Sequence, residues 1–169
     1  METALGGLGG RRAAVADVGT GSGAVAIAVA KGAPGAQVWA TDTSPAAVAV
    51  ARENVERHGL AGRVVVRLGD LLDPVPGSLD LVVANLPYLP AGRRGWYPDL
   101  AGEPVEAVFA EGDGLTPYRR LIDASAERLT SEGMLVIQFR RRVFAAHRDE
   151  LDALRDRLEN DASVVLEAA

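Results

Sequence analysis

The sequence predicts an α/β fold, a doubly wound and mostly parallel sheet flanked by helices. Three observations predict it. Short apolar runs alternate along the chain with segments of helical period, the pattern of successive βαβ units. The run Leu79–Ala84 is close to continuously apolar, as a strand buried on both faces should be. The run Ala13–Val18 breaks into Gly19-Thr20-Gly21-Ser22-Gly23 ahead of an alanine-rich helical segment. That strand, glycine turn and helix form a nucleotide-binding element.

The elements follow in order. Ala13–Val18 is the first strand, and 24–31 a short helix packed closely through its alanines. A second strand over 37–41 ends at Asp42. Ser44 is a good N-cap, with Pro45 at the first helical position. The helix it opens carries Ala47, Val50, Ala51, Val55 and His58 on one face and stops at Gly59. Val64–Leu68 is the third strand, ending at Gly69-Asp70, and Leu79–Ala84 the fourth, ending at Asn85-Leu86-Pro87-Tyr88. Residues 89–115 lose periodicity and gain Gly, Pro, Trp and Arg; a loop this long inside a compact domain usually serves function. Thr116 is expected to cap a helix with Tyr118, Leu121, Ile122, Ser125 and Leu129 on one face. A fifth strand is expected over 133–139. An amphipathic helix over 140–158 turns Phe144, His147, Leu151, Leu154 and Leu158 inward, and 162–166 is a last strand.

At 169 residues, the chain is expected to form a single domain over 1–169, with 1–12 a flexible lead and 89–115 an insertion on the substrate side. Hydrophobic residues at 48% and charged residues at 24% fit a globular protein rather than a disordered one. The absence of cysteine excludes disulfides, thiolate catalysis and iron–sulfur clusters. Two histidines without HExxH spacing give no expectation of a metal site. A net charge of −5 argues against binding nucleic acid through bulk charge. No signal peptide is evident and no apolar run approaches the roughly 18 residues that would span a bilayer. The expectation is a cytoplasmic protein without membrane contact.

The glycine spacing decides between ligands. It lacks the GK[ST] of a P-loop, and Ala24 stands where GxGxxG needs its third glycine, so a dinucleotide is the weaker reading. S-adenosyl-L-methionine has no pyrophosphate to neutralise. Asp17, just before the glycines, suits its cationic end. Asp42, at the end of the second strand, can accept both ribose hydroxyls. Asp70, at the end of the third, can accept the exocyclic amine of adenine. The glycines alone also admit a tight turn, and Asp42 or Asp70 alone is equally an acid capping a strand end or a helix. Together, at successive strand ends on one sheet edge, they form a constellation where such sheets bind ligands.

Asp17-Val18-Gly19-Thr20-Gly21-Ser22-Gly23 with Asp42-Thr43-Ser44-Pro45 resembles the class I S-adenosylmethionine methyltransferases. Asn85-Leu86-Pro87-Tyr88 resembles the NPPY motif of their amino-group members. Glu103-Pro104, Gly112-Asp113-Gly114-Leu115 and Tyr118-Arg119 narrow the resemblance to the release-factor glutamine-N5 methyltransferases of the HemK/PrmC type. It covers residues 13–139. It implies a cofactor site of Asp17, Gly19, Thr20, Gly21, Gly23, Asp42, Thr43, Asp70, Leu71 and Asn85. It implies an acceptor site of Asn85, Leu86, Pro87 and Tyr88, with Glu103 and Pro104 toward the substrate. The implied partner is a peptide-chain release factor, methylated on the glutamine of its Gly-Gly-Gln loop.

The turn makes chemical sense of this. An amide nitrogen is a poor nucleophile because its lone pair is delocalised. The Asn85 side-chain oxygen and the Leu86 carbonyl would take its two N–H groups and aim the lone pair at the methyl. Tyr88 would pack its ring on the planar amide. The sequence departs from the family in having Leu86 for the first proline and about a dozen residues ahead of the first strand, where relatives carry a helical domain. It also shows one strand after Leu158, where the fold ends in a hairpin, so the sheet is expected to lack its last strand. The fifth strand ends Ile137-Gln138-Phe139, where relatives have an acid and a glycine. Two other readings stand beside this one: an RNA or DNA base N-methyltransferase, which the acidic charge disfavours, and a non-catalytic domain of the same fold. Arg93, Arg94, Trp96 and Tyr97 read equally as a substrate lip and as an exposed loop.

Overall fold

The computed structural model describes Leu8 and residues 10–90, 92, 108–110, 112–139, 148–149, 152–153 and 163–168. In chain order the elements are β1 (Ala13–Val18), α1 (Ala24–Gly32), β2 (Ala36–Asp42), α2 (Pro45–Arg57), β3 (Val64–Leu68) and β4 (Leu79–Ala84). They continue with β5 (Leu89–Pro90), β6 (Phe109–Ala110), α3 (Thr116–Ala126), β7 (Leu129–Phe139) and β8 (Ser163–Ala168). Six strands make one sheet in the order β3-β2-β1-β4-β7-β8, and every pairing is parallel. The chain winds outward from β1 through β2 to β3, then returns to the other side of β1 with β4. The reversal therefore lies between β1 and β4, where Val18 pairs with Ala84. Crevices at such reversals, beyond the carboxyl ends of the strands, are where these sheets bind ligands.

Side-chain alternation divides the core in two. Val15 of β1 with Leu81 and Val83 of β4 packs against Ala26, Val29 and Ala30 of α1 and Val48, Ala51 and Val55 of α2. Ala16 and Val18 with Val82 and Ala84 packs on the opposite face against Tyr118, Leu121 and Ile122 of α3. Both faces of the central strands are thus covered by helices, which is why β1 and β4 are apolar along nearly their whole length.

Several details differ from expectation for local physical reasons. Val50 is 47% exposed, and His58 is also exposed; the buried face of α2 is Val48, Ala51 and Val55. Leu129 belongs to β7 rather than to the helix before it. Leu79 pairs with Leu129 but Leu81 with Met134, so the Ser131-Glu132-Gly133 stretch is an irregularity inside one strand. Thr116 is the first residue of α3, not its cap; Leu115 holds the cap position and no side chain caps the helix, while just ahead of it the Asp113 carboxylate accepts from the Leu115 amide at 2.9 Å. Within 89–115, β5 and β6 pair in parallel as a separate two-stranded sheet. Ahead of β1, Leu8 is buried in the core and Arg11 pairs with Asp80 at 3.3 Å. Most of the helix expected over 140–158 lies outside the described residues, of which 148–149 and 152–153 are helical.

Candidate active site

A cleft of about 770 Å³ opens at the β1/β4 reversal. Gly19 and Gly21 line it from the loop after β1, Asp42 and Thr43 from the end of β2, Asp70 and Leu71 from the end of β3, and Asn85, Leu86 and Pro87 from the end of β4. Nine sequence-predicted residues therefore border one cavity.

The loop is tied down by backbone geometry. Gly19 and Gly21 adopt φ of 70° and 55°, a region glycine enters without the penalty a side chain carries. The amides of Gly19 and Thr20 both donate to the Thr41 carbonyl at 2.9 Å. A Cβ at Gly19 would stand 2.7 Å from Cδ2 of Leu86, so the absence of a side chain there lets the loop and the β4 turn touch. Around Gly21 the same position is open, leaving backbone without side-chain cover beside the cleft.

Asp42 anchors the loop from across the sheet. Its Oδ2 accepts from the Gly21 amide and its Oδ1 from the Ser44 amide, each at 2.9 Å. An ionised carboxylate has about four lone-pair sites, so each oxygen of this cleft-lining residue keeps capacity for a further hydrogen bond. Ser44 caps α2 by accepting from Ala47 at 3.3 Å, as its sequence position predicts.

Asp17, Thr20 and Gly23 are not on the cleft lining. Asp17 is 2% exposed and its Oδ2 accepts both the Thr20 hydroxyl at 2.6 Å and the Ala26 amide at 2.9 Å. Gly23, the N-cap of α1, has no side chain to cap with; Asp17 supplies that bond from the strand below. Burial pushes its carboxyl up to about 6, against the downward pull of the Thr20 and Ala26 bonds and with a further upward push from Asp42. The folded chain thus binds this proton more tightly than the unfolded one, so Asp17 lowers stability as pH rises from about 4 to 6 and adds no further change above that. Two pKa units correspond to on the order of 3 kcal/mol. One oxygen carries both bonds, so Asp17→Asn can keep them with its amide oxygen. The variant should fold and should gain stability relative to the parent between pH 4.5 and 7, read from urea unfolding midpoints. A difference that is constant with pH would show an ordinary carboxyl.

Asp70 does not stand alone. Its Oδ2 accepts from Nη2 of Arg120 on α3 at 2.5 Å, and both residues line the cleft. Leu71 beside it holds φ at 44°, and its carbonyl accepts from the buried Thr41 hydroxyl at 2.8 Å. Sequence reasoning missed Arg120, which had no signal apart from its place next to Tyr118-Arg119. It also placed Val50 in the core, whereas Val50 gives the cleft an apolar wall together with Ala46 and Ala47.

At the β4 end, Asn85 is exposed and its side chain makes no hydrogen bond to a described residue. Leu86 is 6% exposed, and its carbonyl accepts from the Tyr118 hydroxyl at 2.6 Å. Tyr88 is half-buried and packs on the core beneath rather than lining the cleft. Burial holds the Tyr118 phenol well above its ordinary pKa, with Tyr88 adding to the rise. Asp113 is held down to about 2, first by its bond with Arg119 and then by the Leu115 amide. The Asp113–Arg119 pair is bidentate, at 3.2 and 2.5 Å. Glu103, Pro104, Glu111 and the Arg93–Tyr97 stretch lie outside the described residues. Among the described residues no group of three metal-ligating side chains occurs, and no helix is long and apolar enough to cross a membrane.

The acids at the ends of β2 and β3 and the Asn-led turn at the end of β4 thus meet at one edge of a parallel sheet, around one cleft. Residues 5–94 match the family described as methyltransferase small domain. The release factor glutamine methyltransferase of Moorella thermoacetica is 46% identical over 126 residues, 73% of this chain and 44% of that protein. That of Gloeobacter violaceus is 41% identical over 129 residues, 75% and 45% of the two chains. This chain therefore spans less than half the length of these curated relatives. The solved ribosomal protein L11 methylase of Lactobacillus delbrueckii subsp. bulgaricus superposes with a TM-score of 0.58 at 26% identity, covering 90% of this chain and 66% of that one. Precorrin-6y C5,15-methyltransferase of Geobacter metallireducens GS-15 shares the fold at a TM-score of 0.61 and 20% identity, over 90% of this chain and 69% of that one. The chain belongs to the methyltransferase small domain family, whose fold implies S-adenosyl-L-methionine as methyl donor.

Proposed function

We propose that this chain carries the methyl-transfer site of an S-adenosyl-L-methionine-dependent N-methyltransferase. Its acceptor is the glutamine side-chain amide in the Gly-Gly-Gln loop of a peptide-chain release factor. One observation carries the reading: the Asn85-Leu86-Pro87 turn borders the same cleft as Gly19, Gly21, Asp42 and Asp70. The names of the relatives supply the acceptor.

In this reading the two free sites on the Asp42 carboxylate accept the ribose hydroxyls. Asp70, with Leu71, faces the adenine edge, and Thr43 and the side-chain-free backbone at Gly19 and Gly21 border the rest of the donor. Asp17, Thr20 and Gly23 act from below by holding the loop. Bound there, the donor supplies a methyl group on a sulfonium. Asn85 Oδ1 and the Leu86 carbonyl accept the two amide hydrogens of the substrate. That leaves the nitrogen lone pair aimed at the methyl carbon. The nitrogen takes the methyl as the carbon–sulfur bond electrons return to sulfur, and its surplus proton leaves to water. Pro87 fixes the turn, Tyr88 supports it from the core side, and the resemblance assigns Glu103 and Pro104 to substrate binding.

The test is transfer of labelled methyl from S-adenosylmethionine to a purified release factor, beside the same factor with its Gly-Gly-Gln glutamine changed to alanine. Label on the first factor and none on the second is expected. Label found only in an RNase-sensitive fraction of lysate would replace this reading with base methylation. Donor binding with transfer to neither would leave a non-catalytic domain.

A further inference from the structure

We infer that Tyr118 is a positioning residue for methyl transfer: its buried hydroxyl fixes the Leu86 carbonyl and gives the acceptor-holding turn the rigidity that a proline at position 86 would give it. The inference rests on reading Asn85-Leu86-Pro87-Tyr88 as that turn.

The direction of the Leu86 carbonyl depends on the backbone torsions of Leu86. Pro87 biases Leu86 toward extended ψ, but nothing covalent fixes its φ, which a proline would lock near −65°. Two contacts stand in for that lock. The Leu86 side chain is buried against Gly19, where no Cβ could fit without displacing it. The Tyr118 hydroxyl, on a residue with 0% exposure, donates to the Leu86 oxygen at 2.6 Å. A carbonyl oxygen has two lone pairs, so this bond takes one and leaves the other for the substrate N–H.

Tyr118 is itself held. It lies in the first turn of α3, and the start of that helix is pinned by the Asp113 carboxylate, which accepts from the Leu115 amide and forks onto Arg119. Gly112-Asp113-Gly114-Leu115 and Tyr118-Arg119, far from β4 in sequence, thereby act as one buttress. Asp113 and Arg119 set the helix start, the helix aims Tyr118, and Tyr118 aims Leu86.

A tyrosine that merely satisfies its own buried hydroxyl would affect stability alone, whatever occupies position 86. The experiment is therefore a double-mutant cycle in the full chain: Tyr118→Phe, Leu86→Pro and the pair. Turnover on release factor, affinity for S-adenosylhomocysteine and Tm are measured for each. Tyr118→Phe is expected to lower kcat by about tenfold, the scale of a slight misplacement of reacting groups, with affinity for S-adenosylhomocysteine within about twofold. In the Leu86→Pro background the same change should lower kcat by less than about threefold, while its effect on Tm stays the same. No effect of Tyr118→Phe on kcat, or an equal effect in both backgrounds, overturns the inference. If the parent chain methylates no release factor, the functional reading fails separately, and NMR decides the positioning claim. The Tyr88 amide and Asn85 side-chain resonances should broaden by exchange in Tyr118→Phe and sharpen again in the pair. Unchanged resonances overturn it.

Discussion

Asn85→Ala is expected to lower turnover by about two to three orders of magnitude, the usual effect of deleting one fixed polar partner of a reacting centre. Affinity for S-adenosylhomocysteine should stay within about twofold. The separation follows from where the side chain sits. Asn85 is exposed at the mouth of the cleft, and its amide bonds to no described residue, so its removal leaves no buried partner unsatisfied and no loop untied. What disappears is one of two acceptors for the substrate amide hydrogens, and with it the alignment of the lone pair. The measurement is single-turnover methyl transfer beside calorimetric titration with S-adenosylhomocysteine. The resemblance also assigns Asn85 to the cofactor. Comparable losses in rate and affinity would mean that this contact dominates, and would remove the division of labour between the glycine loop and the β4 turn.

The sequence carried most of this site because its residues occupy strand ends, and strand ends follow from hydrophobic period alone. Asp42, Asp70 and Asn85 each close an apolar run, and in a parallel sheet those closures fall on one edge. Less was legible where a role depends on which face a residue takes. Asp17 lies two residues after Val15 on β1 and so shares its face on the α1 side, beneath the helix whose glycine cap lacks a side chain. Period two contains that information, yet a ligand-facing role looked equally natural from position alone. Val50 was assigned to the core by the spacing of three and four, but α2 has a second apolar stripe, Ala46, Ala47 and Val50, which faces the cleft. No period reveals the Arg120–Asp70 pair or the Tyr118 bond to Leu86. Both join α3 to strand ends far earlier in the chain, and both exist only once the sheet order is known.

Asp42→Ala and Asp42→Asn should both abolish most cofactor affinity, raising the Kd for S-adenosylhomocysteine by about a hundredfold. Two charge-assisted hydrogen bonds to a ribose are worth roughly 1.5–3 kcal/mol each, and losing even the equivalent of one such bond at the upper end gives that factor. The asparagine variant is the sharper case. Each Asp42 oxygen accepts a separate backbone amide, Gly21 on one side and Ser44 on the other. An asparagine has one oxygen, so its NH2 group must face one of those two N–H donors, and either the loop or the start of α2 loses its tie. Asp17 differs because a single oxygen carries both of its bonds, which is why the same isosteric change is tolerated there. Two carboxylates on adjacent strands should therefore respond oppositely to one substitution: Asp17→Asn should retain cofactor binding within a few-fold, and Asp42→Asn should not. Calorimetry on the two variants at one pH checks this directly. Binding by Asp42→Asn within threefold of the parent would show that the ribose is not held through this carboxylate.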